Sequence, residues 1–500
     1  MRTLLSRLLE RLSRRTPHGA ASRRGGLLVA ALPLALNVAC GPDATTPARP
    51  PIVETWLARA KASYHAGDME DAGLAAQNAL KAAPRDAEAR VLAARIALAR
   101  LEFDNALKLT EGIDSSEVHA IRGRAHWYAG DVEPAADELE AALGDPNMKD
   151  KWARDIATLA RRGHGRHPFA IEGGIVAAVE MPPAGPWLVV PCELEGERIL
   201  AVVATSFGEL MVDSSTRKEP AWVNLRFGDS IEVKDVPALT FDLSAISRQL
   251  GAPIRALIGV NVLRHMHVTI DRRGSQFVVR KEDPPAPPAA SRVPLFYVKG
   301  GGMMMRASVS AKDEGQTSMF VDSSAAYPLA LDEAVLKRSG ADLSSFRPEP
   351  GTPPSWRLGM LPYFKLGGLD LPQIPAMRGP SIADYKQNMD VELGGVVGAG
   401  LLAAFRITLG DDGRYMWMEM DPLLMQMQDP GPAGGAPPGE PAEGVSPGPP
   451  TGGAPAPAPA PTSIAPPALT LAPPGTRPPP PAPKAPDAAP KKPTGKGAAK

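Results

Sequence analysis

The chain holds 500 residues, with 55 Lys+Arg balanced by 55 Asp+Glu. Its length suggests about three structural units, and its neutrality excludes the basic excess of a nucleic-acid-binding protein. Two cysteines exclude a disulfide scaffold or a Cys-rich zinc site, and no apolar run reaches the length of a spanning helix.

The N-terminus reads as an address. Seven arginines from Arg2 to Arg24, against the single acid Glu10, precede an apolar stretch from Leu27 to Val38 that ends in Ala39-Cys40-Gly41. That order describes a secretory signal over residues 1–39. Leu36-Asn37-Val38-Ala39-Cys40 resembles the lipobox of bacterial lipoproteins, with Asn37 where that family prefers an aliphatic residue. The resemblance implies that Cys40 becomes acylated, anchoring an extracytoplasmic protein to a bacterial membrane, periplasmic or outer-membrane facing. An ordinary secreted protein is the alternative. Loss of residues 1–39 removes seven of the 55 basic and one of the 55 acidic groups, leaving 48 against 54 and a net charge near −6.

After a linker over 40–52, residues 53–163 carry apolar side chains at helical spacing and a repeat. Tyr64-His65-Ala66-Gly67-Asp68 is echoed by Trp127-Tyr128-Ala129-Gly130-Asp131, and Ala72 to Ala106 is a step of 34. Trp56, Ala60, Gly67, Ala72, Ala79 and Pro84 resemble the pattern of tetratricopeptide repeats. Three units are expected, the third starting early because Ala106 to Ala135 is only 29, so the second helix of unit two is short. The resemblance implies a concave surface for a protein or peptide partner; a rigid spacer is the other reading.

From 168 to 421 short strands and Gly/Pro turns take over. A Pro-rich linker, 281–292, divides this part into 168–280 and 293–421, and the halves look alike. Each opens with a Val-Pro pair, Val190-Pro191 and Val293-Pro294. Each has aliphatics around a glycine, Leu257-Ile258-Gly259-Val260 and Val396-Val397-Gly398-Ala399, and each closes with strand, turn and strand. The arrangement resembles tandem retropepsin-like aspartic protease lobes. In that family each lobe brings one aspartate, in an Asp-Thr/Ser-Gly turn, to a shared water, because a pair of carboxylates splits into an acid and a base at one pH.

The resemblance places a catalytic acid at Asp322, followed by Ser323 and by Ser324 where the family has glycine. In the first lobe it admits two alignments. Ala204-Thr205-Ser206 as the triplet leaves that lobe without its acid, whereas Asp213-Ser214-Ser215 matches letter for letter and makes Asp213 the acid. Spacing favours the first: Ala204 to Asp213 is nine residues with Leu210-Met211-Val212 before it, and Asp322 to Asp332 is ten with Leu329-Ala330-Leu331 before it.

Cys192 reads as a small buried hydrophobe. No metal site is expected at His164/His167 or His265/His267, which lack a third ligand, and no cofactor is implied. Met416, Met418 and Met420 read as one strand face. From Pro430 to Lys500 lie 24 of the 56 prolines, so 422–500 is expected to be a disordered tail. The fold class is therefore multidomain: an all-α helical repeat, two mainly-β aspartic-protease-like lobes and a Pro-rich tail. Function is read as a non-catalytic scaffold, binding an unknown protein or peptide through the repeats and the cleft between lobes, with the membrane as a further partner through the anchor. The alternatives are an active endopeptidase, using Asp322 with Asp213 or with Asp322 of a second chain, and repeats that act alone with the lobes as an appendage.

Overall fold

The computed structural model describes residues 49–298, 301–312, 315–386 and 389–420. The readings of the signal, of Cys40 and of the tail lie outside the described residues.

The Ala- and Leu-rich part forms α1 (Pro51–His65), α2 (Met69–Ala82), α3 (Ala87–Ala99), α4 (Phe103–Thr110), α5 (Ser116–Ala129), α6 (Val132–Leu143) and α7 (Lys151–Arg161). Four starts are capped by short polar side chains: Asp68 accepts from Asp71 N–H, Asp86 from Ala89, Ser115 from Val118 and Asp150 from Ala153. Helices α1/α2, α3/α4 and α5/α6 pack as hairpins around fully buried Ala60, Ala72, Ala79, Ala106 and Ala135, whose small side chains allow close approach. Helix α4, with 8 residues, is the short second helix of the middle pair. Helix α7 closes the stack, burying Ile156 and Leu159 while Arg161 pairs outward with Asp137 and Glu140.

The next region contains β1 (Ala170–Gly173), β2 (Val176–Glu180), β3 (Val189–Leu194), β4 (Glu197–Val203), β5 (Leu210–Asp213), β6 (Ala221–Phe227) and β7 (Ile231–Phe241). It continues through α8 (Ser244–Leu250), β8 (Ile254–Ile258), α9 (Val260–His265), β9 (Thr269–Asp271) and β10 (Gln276–Arg280). The second lobe holds β11 (Ser291–Pro294), β12 (Phe296–Val298), β13 (Gly302–Ser308), β14 (Thr317–Asp322), β15 (Leu329–Leu331), α10 (Glu333–Arg338) and β16 (Arg347–Pro348). It ends with β17 (Arg357–Leu366), β18 (Leu369–Arg378), α11 (Ala383–Lys386), β19 (Gly395–Gly398), α12 (Ala399–Leu402), β20 (Phe405–Gly410) and β21 (Tyr415–Met420).

Each lobe is a sheet rolled nearly shut. In the first the order is β1-β7-β5-β8-β4-β3-β6, and β6 pairs back onto β7. In the second it is β12-β13-β14-β19-β15-β18-β17-β16, with β13 paired to β17. A third sheet, β11-β21-β20-β9-β10-β2, takes three strands from each lobe. Its centre is the β9–β20 pair, where Thr269 Oγ1 and Thr408 Oγ1 lie 2.9 Å apart across a local two-fold relation. The two lobes thus face each other within one chain and share a core running from Val203 and Phe277 to Val321 and Met418. Met416 and Met418 are buried on one face of β21, as their alternation implies.

One correspondence between the halves needs correction. Val190-Pro191 lies on β3, which pairs with β4, whereas Val293-Pro294 lies on β11, which pairs with β21 in the shared sheet. The counterpart of β11 is β2, paired with β10, and the counterpart of β3 is β13, paired with β14. The two dipeptides match in letters and not in position.

Candidate functional site

The geometry around the two triplets follows from equivalent strand pairings. Strand β4 runs parallel to β8, with Val203 beside Ile258, and β14 runs parallel to β19, with Val321 beside Val397. A glycine stands at the end of each partner strand, just after β8 and as the last residue of β19, where a carbonyl crosses closely. A Cβ on Gly259 would stand 2.2 Å from Glu209 O, and one on Gly398 would stand 2.0 Å from Tyr327 O. This is the close approach that only glycine permits.

Beyond these strands the turns interlock. Thr205 Oγ1 donates to Val321 O at 2.7 Å and accepts from Ser323 N–H at 3.0 Å. Ser323 Oγ donates to Val203 O at 2.8 Å and accepts from Thr205 N–H at 3.1 Å. The four bonds form a two-fold set in which Thr205 answers Ser323, so Ala204 answers Asp322 and half-buried Ser206 answers Ser324. Ala204 is fully buried among Trp187, Phe207 and Leu243. Asp322 is 4% exposed: Oδ1 accepts from Ser324 N–H at 2.9 Å and Ser324 Oγ at 2.5 Å, and Oδ2 accepts from Tyr385 OH at 2.9 Å. Trp187 Nε1 donates to Ser324 O at 3.0 Å, tying the turn to the opposite lobe.

Asp213 sits elsewhere. Val212 pairs with Ala256, so Asp213 lies beside Arg255, three residues back along β8 from Ile258, a displacement of about 10 Å. Its carboxylate accepts from Ser215 N–H at 3.2 Å, from Ser215 Oγ and from Arg255 Nη1 at 3.2 Å. Burial pushes this carboxyl up, but the Ser215 donors and Arg255 together hold it below the ordinary range. Asp332 is its counterpart, standing past β15 with its N–H on Gly394 O.

Two contributors had no sequence signal. Tyr385 is one. The other is Glu209, 1% exposed, which accepts from Trp127 Nε1 at 3.2 Å, Trp152 Nε1 at 3.0 Å and Asn261 Nδ2 at 3.4 Å. It stands just after the first triplet and joins α5 and α7 to the lobe. Its partners lie 82, 57 and 52 residues away along the chain, beyond the reach of any local pattern.

The helical module carries a groove of about 540 Å³ between α1, α3 and α5, bounded on one side by Asp390 of the second lobe. Tyr64, Val91 and Leu92 supply its apolar wall; Lys61 pairs with Glu88 and Arg95 with Glu117. Cys192 is buried, and burial pushes its thiol up to about 12, away from nucleophile chemistry. His265 is half-buried and stacks on Phe169 at 4.3 Å, while His267 meets Asp283 at 3.0 Å.

No family model matches the chain, and no curated protein matches it. Among solved structures it is similar to the Arabidopsis OM64 TPR domain: 20% identity over 22% of this chain and 94% of that one, with a TM-score of 0.21.

Proposed function

We propose that this chain is a lipid-anchored, extracytoplasmic protein-binding scaffold in which helical repeats are joined to two aspartic-protease-type lobes that no longer hydrolyse peptides. The observation that carries the reading is the mutual bonding of Thr205 and Ser323, which makes Ala204 and Asp322 the paired positions. Hydrolysis by a bound water needs one carboxylate to take its proton while a second, protonated, polarises the carbonyl. Ala204 has nothing to ionise, and both oxygens of Asp322 are engaged by Ser324 and Tyr385. Asp213 is no substitute, being held by Ser215 and Arg255 at the far end of β5. Two second lobes from separate chains would have to part Ser323 from Thr205 before two copies of Asp322 could meet.

Binding is assigned to the groove of the helical module, whose apolar wall between ion pairs suits an extended peptide segment. The test of lost catalysis is incubation of the soluble chain, lacking residues 1–40, with a random peptide library from acid to neutral pH, beside Asp322→Asn. The expected result is no cleavage by either protein. Robust cleavage that Asp322→Asn abolishes would overturn the reading.

A further inference from the structure

We propose that Tyr385 is the resident occupant of the Asp322 site and that the helical module holds it there, an internal contact that bars peptides from the residual carboxylate. The proposal rests on the reading of the lobes given above and names how that site is controlled.

Phe320 and Asp322 are two residues apart on β14, so their side chains leave the same face. Tyr385 covers both: its ring centroid lies 5.1 Å from that of Phe320, and its hydroxyl donates to Asp322 Oδ2 at 2.9 Å. With Oδ1 taken by Ser324, a ligand reaching for Asp322 must first displace the tyrosine.

The chain around Tyr385 is braced from outside the lobe. Ile382, Val391 and Leu393 pack in one apolar cluster with Leu57 and Tyr64 of α1 and Ile96 of α3. Glu392 N–H donates to His65 O at 2.7 Å, and His65 Nδ1 lies 3.3 Å from Asp390 O. Within the lobe itself, Lys386 Nζ also reaches Asp332 at 3.1 Å. The turn between α1 and α2 also rests directly on β14. Ser318 Oγ donates to Ala66 O at 2.7 Å, and a Cβ on Gly67, whose φ is +72°, would stand 2.2 Å from that hydroxyl. Helical module, Tyr385 and Asp322 therefore form one connected packing unit.

The experiment is native labelling of the purified chain with a water-soluble carbodiimide and an amine, read by peptide mass at Asp322 and at exposed Glu197. Asp322 is expected to react at least about tenfold more slowly than Glu197, and Tyr385→Ala to raise its rate by about tenfold with Glu197 unchanged. Gly67→Ala, which pushes the turn off β14, should raise it in the same direction; if that variant does not fold, Ser318→Ala removes only the bond to Ala66 and takes its place. Equal labelling of the two sites in the wild type, or no rise in a folded Tyr385→Ala, would overturn the occlusion. A rise in Tyr385→Ala with none in the turn variants would overturn the part given to the helical module. Labelling reads access alone, so its failure is distinct from detection of peptidase activity.

Discussion

Thr205 Oγ1 serves two backbone groups at once, the carbonyl of Val321 and the N–H of Ser323, in a place closed to water. A buried group that loses its partner keeps its full desolvation cost. Thr205→Val keeps the shape but strands both groups, and the expected loss of stability is roughly 3 kcal/mol. Thr205→Ser, which keeps the hydroxyl, should stay within about 1 kcal/mol of wild type. Denaturant midpoints of the two variants check this; equal midpoints would deny the interlock its weight. Ser324 shows how context redefines a residue. Its hydroxyl and N–H both turn onto Asp322 Oδ1, so a small polar residue in a turn becomes a hydrogen-bonding partner of a buried acid.

Between elements, buried Glu209 is a polar joint through which the indoles of α5 and α7 grip the first lobe. Burial, stronger here than the three donors and nearby Arg124, pushes its carboxyl above the ordinary value of 4.5. The folded protein then retains a proton that the unfolded chain releases. Its contribution to stability is complete below the ordinary carboxylate pKa and is lost as pH rises through the raised value. Glu209→Gln cannot ionise, so its stability should be flatter than that of wild type as pH rises from about 4.5 to neutrality. Thermal melts of both proteins across that interval test the sign. A wild-type profile no steeper than that of Glu209→Gln would contradict it.

Across the whole molecule, the shared sheet makes the lobes interdependent. Strands β2, β9 and β10 of one and β11, β20 and β21 of the other complete a single layer, and the apolar core beneath passes between the lobes without a break. The helical module binds both: Trp222 Nε1 donates to Leu159 O at 3.0 Å in the first lobe, and Arg306 pairs with Asp68 at 2.8 Å in the second. Among the described residues no helix is long and apolar enough to cross a membrane. The proposed membrane attachment is assigned to acylation of Cys40. Wild-type chain should fractionate with membranes and carry an acylated Cys40 by N-terminal mass spectrometry, while Cys40→Ala should not be acylated. Unlipidated membrane association of the wild type would remove the anchor from the proposal.

Local chemistry alone was enough to announce the helices, since apolar side chains recur at helical spacing through 53–163 and the repeated small residues Ala60, Ala72 and Ala79 are the ones buried where helices pack. It was enough too for the glycine segments at Gly259 and Gly398, where an apolar strand meets a glycine followed by a helix. The spacing from Ala204 to Asp213 also pointed to the pairing of Ala204 with Asp322, because a strand needs an apolar face. Which strands belong to which sheet was not in reach of the same reasoning. Val190-Pro191 and Val293-Pro294 look equivalent as letters, yet pairing is chosen by partners far along the chain, and β3 and β11 chose different ones. The same holds for Glu209 and Tyr385. A carboxyl group gripped by indoles 82 and 57 residues away, or capped by a phenol 63 residues away, leaves no periodic trace, because only the folded chain brings those atoms within hydrogen-bonding distance.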